Sequence, residues 1–166
     1  KSSIGRRLAE KLEVPFVDAD HEIEIAADKS IPEIFKDHGE AYFREGERRV
    51  ISRLIENGAQ VLSTGGGAFI NEETRQAVQA RGISVWLKAD LPLLMKRVMK
   101  RADRPLLQTG DPEAVMQKLM DQRYPIYATA DVTVESRDVQ HTQMVNEVIK
   151  VLAKWPGWER LNNASS

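Results

Sequence analysis

The sequence Val-Leu-Ser-Thr-Gly-Gly-Gly at residues 61–67 joins a short apolar run directly to three consecutive glycines. The apolar part is typical of a buried β-strand, and the glycines leave a backbone without side chains where that strand ends. In an open α/β sheet, ligands bind at the carboxyl ends of the strands. The stretch therefore predicts a place where a ligand contacts main-chain N–H groups; the alternative is a simple bend without a ligand.

Helical and strand-like segments alternate on both sides of this stretch. Helical patterns cover residues 3–12, 31–38, 40–57, 71–81, 90–101, 111–127 and 139–154, and strand-like runs cover 15–18, 61–63, 83–88 and 131–135. Asn71, Asp90 and Asp111 are suited to start three of the helices. Strands that alternate with helices predict βαβ units, which means a parallel sheet with helices on both faces. We expect one domain with a sizeable core.

Composition narrows the classes of function. The chain has 166 residues with 24 basic and 25 acidic side chains, a net charge of -1, which gives no support to binding of nucleic acid or of a membrane surface. It has no cysteine, so disulfides and thiolate metal sites are excluded. No apolar stretch approaches the ~20 residues needed to span a bilayer. We expect a cytoplasmic protein.

Two aspartates, Asp18 and Asp20, follow the first predicted strand. A spacing of two residues places both carboxylates on one face if the chain stays extended. Two acids at the carboxyl end of a strand can serve a magnesium ion, through its waters, and a substrate hydroxyl. The alternative is a helix cap, because Asp20 precedes His21 and Glu22 in a pattern suited to capping, with Ser30 as a further candidate cap.

Three arginines stand where they could hold an anion. Arg44 lies on a predicted long helix, where Glu47 could orient its guanidinium toward an anionic substrate. Arg104 lies in a predicted loop, and an arginine on such a lid can meet a transferring phosphate. Arg123 lies late in the next helix, beside two tyrosines that suggest a packed wall. Each also has an ordinary interpretation, as a surface ion pair, a solvated loop residue and a helix-end cation respectively.

The first three residues, Lys1, Ser2 and Ser3, have the form of the end of a phosphate-binding loop, Gly-x-x-x-x-Gly-Lys-Ser/Thr, at the start of a helix. The glycines of such a loop are absent from the 166 residues. A parallel sheet that feeds this helix would also have a strand immediately before it. We therefore expect further residues to precede Lys1; the alternative is a protein without a phosphate loop.

Taken together, these motifs resemble those of the shikimate kinases, a branch of the P-loop kinases akin to the nucleoside monophosphate kinases. The segments that carry the resemblance stand in the family's order and approximate spacing: Lys1-Ser2, Asp18-Ala19-Asp20, Phe43 to Glu47, Gly65 to Gly67, Arg104 to Leu107 and Arg123 to Tyr127. The resemblance implies an α/β, three-layer P-loop kinase fold. Its five-stranded parallel sheet would have the order 2-3-1-4-5, with the first strand and the phosphate-loop glycines absent from these residues.

The resemblance also implies how the chain is organised. A single domain would cover residues 1–154, with a substrate-binding subdomain at about 19–58 and a lid at about 102–111. We expect residues 155–166 to form a frayed tail, since they carry Pro, Gly, Asn and Ser. The family resemblance suggests a monomer.

The activity implied by the resemblance is ATP-dependent phosphorylation of the shikimate 3-hydroxyl, in the pathway to chorismate and the aromatic amino acids. The implied catalytic residues are Lys1, Asp20 and Arg104. The implied shikimate-binding residues are Asp18, Asp20, Arg44, Gly65, Gly66, Gly67 and Arg123. The implied ATP-binding residues are Lys1, Ser2, Ser3, Arg101, Arg104 and Gln140, and the implied magnesium ligands are Ser2 and, through water, Asp18.

In one place the sequence departs from the family pattern. After the last strand the family often has an Asn-Pro or Ser-Pro pair beside the adenine, whereas residues 137–141 contain no proline. Backbone contacts around Gln140 could persist there. Two other functions stay open at this point: another small-molecule kinase of the same fold, such as a gluconate kinase, and a non-catalytic module that keeps the shikimate pocket without binding ATP.

Overall fold

Seven α-helices and four short strands alternate along the part of the chain that the computed structural model describes, residues 2–100 and 110–158. The helices are α1 (Ser2–Leu12), α2 (Ala19–Ala27), α3 (Ile31–Ile55), α4 (Glu72–Arg81), α5 (Leu91–Met99), α6 (Pro112–Tyr127) and α7 (His141–Lys154). The strands are β1 (Phe16–Asp18), β2 (Val61–Ser63), β3 (Val85–Lys88) and β4 (Val132–Glu135), and one turn of 3₁₀ helix covers Ala68–Ile70. Three residues with predicted roles, Lys1, Arg101 and Arg104, lie outside the described residues.

The strands pair in parallel, two by two. β1 lies beside β2 with Val17 opposite Leu62, and β3 lies beside β4 with Leu87 opposite Val134. Parallel neighbours need a crossover connection, and the helices supply it. The predicted parallel α/β architecture is therefore confirmed, and the described residues form two separate pairs of strands.

Two apolar clusters hold these layers together. The first packs α1 and α7 against β4, and its buried members are Ile4, Leu8, Val132, Val134, Met144, Val145, Val148 and Leu152. The second joins α2 to α3, and its buried members are Ala19, Ile23, Ile34, Phe43, Val50, Ile51, Leu54 and Ala68. Trp155 and Trp158, from the segment expected to be a frayed tail, pack against the first cluster. None of the described helices is both long and apolar enough to cross a membrane.

Side-chain caps fix where several helices begin. Asn71, Asp90 and Asp111 each accept a hydrogen bond from a backbone N–H in the first turn of α4, α5 and α6, as predicted. Ser30 caps α3 in a reciprocal arrangement with Glu33, since the Ser30 side chain accepts from the Glu33 N–H and the Glu33 carboxylate accepts from the Ser30 N–H. These caps satisfy backbone donors that have no partner within the helix.

The cap of α2 corrects the prediction for the two aspartates. The Asp18 carboxylate accepts from the Asp20 N–H at 3.0 Å, so the cap is Asp18 and not Asp20. The chain is extended at Asp18 and helical from Ala19 onward. The expectation of an extended pair of carboxylates is therefore wrong, because the cap turns the chain into a helix immediately after the strand.

A kink divides α3 into the separate helices predicted for residues 31–38 and 40–57. Gly39 has φ 84° and ψ 176°, a conformation outside the helical region. Such a combination is almost confined to glycine, because a side chain would collide with the neighbouring peptide groups. The residue therefore sets the angle at which the first half of α3, with Ile34, meets the second half, with Phe43.

We expect Gly39→Ala to lower the free energy of unfolding by about 1–3 kcal/mol, because alanine must adopt a strained conformation there. The matched control is Gly46→Ala on the same helix, where no atom lies within 4 Å of the added methyl group. That variant should be more stable than the parent by up to about 1 kcal/mol. Urea denaturation of both variants gives the comparison, and equal effects of the two would contradict a conformational role for Gly39.

Candidate active site

Several elements bring polar groups together at the carboxyl ends of β1 and β2. Asp18 ends β1, Asp20 lies in the first turn of α2, and the glycine segment, residues 65–67, follows β2. Helix α3 contributes Arg44 and Glu47, and the last two turns of α6 contribute Arg123 and Tyr127. Contacts among these groups make one site from residues that are far apart in the sequence.

Arg44 is held by a buried carboxylate. Its Nη1 donates to Glu47 Oε1 at 2.8 Å, and its Nε lies 3.7 Å from Glu40 Oε1. Glu47 is only 4% exposed, whereas the Arg44 side chain remains about a third exposed. The pair is therefore not an ordinary surface ion pair, since one partner is fixed in the protein interior and the other faces the site.

Gly67 lies directly against this guanidinium. A β-carbon at Gly67 would stand 2.4 Å from Arg44 Nη1 and Nη2, closer than real contacts allow. The backbone of Gly67 is in the ordinary right-handed region, φ -75° and ψ -17°, so conformation alone would permit any residue. A side chain at this position would displace the Arg44 guanidinium, which occupies the space.

The same segment approaches Asp20. A β-carbon at Gly65 would lie 3.4 Å from Asp20 Oδ1 and 3.9 Å from Glu47 Oε2. Of the two aspartates, Asp20 is the one that lies against the glycine segment, and it does so from the first turn of α2. Asp20, Arg44 and the glycines, predicted to share one site, do lie together.

The glycine segment forms a hydrogen-bonded turn beside this site. The Gly65 carbonyl accepts from the Ala68 N–H and the Gly67 carbonyl accepts from the Ile70 N–H, which closes the turn into the 3₁₀ helix. Within residues 2–100 and 110–158, no backbone carbonyl accepts from the N–H of Gly66 or Gly67. Two main-chain donors beside a guanidinium suit a carboxylate or phosphate oxygen.

Helix α6 closes the other side through its tyrosines. The Tyr127 hydroxyl donates to the Gly66 carbonyl, and the Tyr124 hydroxyl donates to the Ala89 carbonyl. Both rings pack against Trp86, with centroids 4.8 Å away for Tyr124 and 5.7 Å away for Tyr127. The packed wall suggested by the sequence is present. No pattern in the sequence predicted the hydrogen bond from Tyr127 to Gly66, because the two residues are far apart along the chain.

Burial and charge shift two ionisable groups of the site. Burial raises the pKa of Glu47, and the charge of Asp20 raises it further, while Arg44 and Arg123 oppose the shift. Burial also raises the pKa of Tyr127, against the lowering effects of Arg123, which hydrogen-bonds the phenol, and of Arg44. The two arginines thus bring their positive charge to the same small region as the buried carboxylate and the phenol.

The groups predicted to meet a nucleotide lie at other ends of the fold. Ser2 and Ser3 begin α1, so their N–H groups stand at the positive end of the helix. Gln140 is the N-cap of α7 and makes no side-chain capping bond, while its carbonyl accepts from the Gln143 and Met144 N–H groups. Among the described residues no cluster of three or more His, Asp or Glu side chains could hold a metal.

Solved structures with the same architecture define the class of this fold. The shikimate kinase from Acinetobacter baumannii in complex with shikimate is 36% identical, with a TM-score of 0.85 over 91% of this chain and 85% of that chain. The shikimate kinase from Aquifex aeolicus is 35% identical, with a TM-score of 0.81 over 92% of this chain and 89% of that one. The fold is that of the P-loop α/β kinases.

Sequence comparison narrows this class to one family. The shikimate kinase family model matches residues 1–153. A shikimate kinase of Bradyrhizobium diazoefficiens is 57% identical over 152 residues, which are 92% of this chain and 73% of the relative. One from Mesorhizobium japonicum is 52% identical over 161 residues, 97% of this chain and 79% of the relative. The chain belongs to the shikimate kinase family, and the resemblance inferred from its motifs is confirmed.

We expect Glu47→Gln to change how stability depends on pH. The raised pKa means that the folded state holds the Glu47 proton more tightly than the unfolded state does. The contribution of Glu47 to the free energy of unfolding therefore falls as pH rises from the ordinary value, near 4.5, through the folded-state pKa. The stability of the parent relative to Glu47→Gln should decrease over this window, measured by urea denaturation from about pH 4 to about pH 8.

The matched control is Glu45→Gln on the exposed side of the same helix. A hydrogen bond from Arg48 lowers the pKa of Glu45, so its stabilising contribution is present above the unfolded-state pKa and is lost in acid. The stability of the parent relative to Glu45→Gln should therefore increase slightly with pH. The same slope for both variants would contradict burial as the dominant influence on Glu47.

Proposed function

We propose that this protein transfers the γ-phosphoryl group of ATP to the 3-hydroxyl of shikimate, giving shikimate 3-phosphate and ADP on the pathway to chorismate and the aromatic amino acids. Membership of the shikimate kinase family supports the reaction. A related structure at 36% identity was solved in complex with shikimate, which supports the substrate. The single observation of this molecule that carries the proposal is the packing of the Gly67 backbone against Arg44, because it places a cation directly beside the main chain of the glycine segment.

The carboxylate of shikimate binds between α3, α6 and the glycine segment. Arg44 and Arg123 hold it as planar guanidinium groups, which match the two oxygens of a carboxylate. The N–H groups of Gly66 and Gly67 donate to the same anion. Glu47 keeps Arg44 in place, since its buried carboxylate accepts a hydrogen bond from Arg44.

Asp20 acts on the hydroxyl that is phosphorylated. The Asp20 carboxylate lies beside Gly65. The groups that bind the carboxylate of shikimate therefore lie close to Asp20, as a small polyhydroxylated ring requires. Asp20 orients the 3-hydroxyl and accepts its proton as the oxygen–phosphorus bond forms and the bond from the γ-phosphorus to the departing ADP oxygen breaks. Phosphoryl transfer needs little more from a protein than such positioning and charge stabilisation.

The phosphates of ATP bind near the start of α1. Lys1, Ser2 and Ser3 contact them there, Arg104 closes over them with the lid at about 102–111, and Arg101 and Gln140 lie beside the adenine. Ser2 and Asp18 would hold magnesium, Asp18 through water, because a hydroxyl and a carboxylate are hard oxygen ligands and Mg²⁺ keeps several of its waters. When bound, the ion neutralises phosphate charge. Closure of the lid excludes water, which would otherwise accept the phosphate.

The sheet of this kinase has a further strand between β2 and β3. In the family's numbering β1 and β2 are strands 2 and 3, β3 and β4 are strands 4 and 5, and strand 1 lies in the centre. Two observations support the order 2-3-1-4-5: the described strands form two separate parallel pairs, and Val61 of β2 packs against the same cluster as Val132 and Val134 of β4. A central strand would enter the start of α1 through the phosphate loop.

The remaining features follow the family resemblance. One domain covers residues 1–154, with Trp155 and Trp158 packed against its first cluster, and its substrate-binding subdomain spans about 19–58. The protein works as a cytoplasmic monomer and binds neither nucleic acid nor membrane, which its balanced charge supports.

The experiment that tests this function is a coupled ADP-release assay on the full-length protein with ATP, magnesium and shikimate. Gluconate and a nucleoside monophosphate serve as control acceptors. We expect ADP release with shikimate only. Asp20→Asn should lower kcat by about 100-fold or more, because no carboxylate then accepts the proton of the shikimate 3-hydroxyl.

Other outcomes would replace the proposal. ADP release with gluconate rather than shikimate would make the protein a different small-molecule kinase of this fold. Calorimetric binding of shikimate without any turnover would make it a non-catalytic binding module.

We expect Gly67→Ala to raise the KM for shikimate by about 10- to 100-fold, because the added methyl group displaces Arg44 and a charged hydrogen bond contributes about 1.5–3 kcal/mol. The KM for ATP should stay unchanged. The control is Gly82→Ala, where the methyl group would meet only the Val78 carbonyl at an ordinary 3.6 Å. Steady-state kinetics of both variants give the KM values. An unchanged shikimate KM in Gly67→Ala would contradict the role of Arg44 in binding the shikimate carboxylate.

A further inference from the structure

The hydrogen bond from the Tyr127 hydroxyl to the Gly66 carbonyl connects two walls of the site. Tyr127 lies in the last turn of α6, and Gly66 lies in the turn that follows β2. Arg123 stands four residues earlier on α6, and residues at this spacing share one face of a helix. One face of α6 therefore carries both an arginine and a tyrosine toward the glycine segment.

The bond fixes the peptide group that joins Gly66 to Gly67. The carbonyl of Gly66 and the N–H of Gly67 belong to the same planar, trans amide, so they point in opposite directions. Glycine has the widest conformational freedom of any residue, and an unrestrained Gly-Gly peptide can rotate about both flanking bonds. A donor that holds the carbonyl on one side thereby aims the N–H on the other side.

Tyr127 is itself well placed to act as such an anchor. Its ring packs between Trp86 and Tyr124, with centroid distances of 5.7 and 6.0 Å. Burial raises the pKa of Tyr127, which keeps the phenol protonated and able to donate at neutral pH. A hydrogen bond to a carbonyl also polarises the amide and strengthens the donor at its other end.

We propose that Tyr127 is a positioning residue for the substrate carboxylate: its hydroxyl orients the Gly66–Gly67 amide so that the Gly67 N–H donates to the anion beside Arg44 and Arg123. The inference rests on the proposed function and adds a residue that never contacts the substrate. It makes the affinity of the site for a carboxylate depend on a single hydroxyl group of α6.

The test is Tyr127→Phe, which removes the hydroxyl and with it both the bond to the Gly66 carbonyl and the bond from Arg123. We expect the KM for shikimate, and the Kd measured by calorimetry, to rise about tenfold, since the Gly66–Gly67 amide loses its anchor. The kcat and the KM for ATP should stay within about twofold, because the reacting groups are untouched. Tyr124→Phe is the matched control, as its hydroxyl donates to the Ala89 carbonyl and not to the glycine segment, and it should leave the shikimate KM unchanged.

A ligand without the carboxylate separates positioning from general damage. Shikimate carboxamide should bind the parent more weakly, and Tyr127→Phe should weaken its binding much less than it weakens shikimate binding. Equal weakening of both ligands, an unchanged shikimate Kd, or loss of folded protein in Tyr127→Phe but not in Tyr124→Phe would each overturn the positioning role.

The binding measurement also keeps this inference apart from the proposed function. Shikimate binding by the parent without turnover would overturn the kinase proposal, and the comparison of Kd values would still decide the role of Tyr127. Absence of any shikimate binding by the parent would overturn both.

Discussion

The arrangement of the site depends on one ion pair, Arg44 with the buried Glu47. A carboxylate that is 4% exposed loses most of its hydration, and only a close cation and its hydrogen bond offset that cost. The burial-raised pKa of Glu47 indicates that the compensation is partial. Arg44 is consequently fixed on one side by Glu47 and on the other by the backbone of Gly67, so the guanidinium has a defined position before any substrate arrives. Such preorganisation lowers the cost of binding, because fewer rotamers are lost.

The parts of this picture that could be predicted from the sequence are those with a local physical signal. Apolar periodicity located the described helices other than α2 (Ala19–Ala27), and Asn71, Asp90 and Asp111 marked the starts of three of them. The pattern also predicted separate helices for residues 31–38 and 40–57, the two halves of α3. The motif order was sufficient to identify the family, because several weak signals at fixed spacing are jointly specific. The residues gathered around Arg44 and the glycine segment were predicted as one site, and they do meet.

The parts that could not be predicted depend on three-dimensional neighbours. Nothing in the sequence distinguishes Asp18 from Asp20 as the cap of α2, since both are good caps and the choice depends on where β1 ends. The bond between Tyr127 and Gly66 joins elements on opposite sides of the site, and the burial of Glu47 appears only once α3 packs against the glycine segment. The paired strands likewise required the fold, because short apolar runs carry no information about their partners.

The close fit of Gly67 to Arg44 has a consequence for how this pocket can change over evolutionary time. A side chain at position 67 would displace the Arg44 guanidinium, so a substitution at position 67 also alters how position 44 can bind an anion. Positions 67 and 44 are therefore coupled, and the effect of a substitution at one of them depends on the residue at the other.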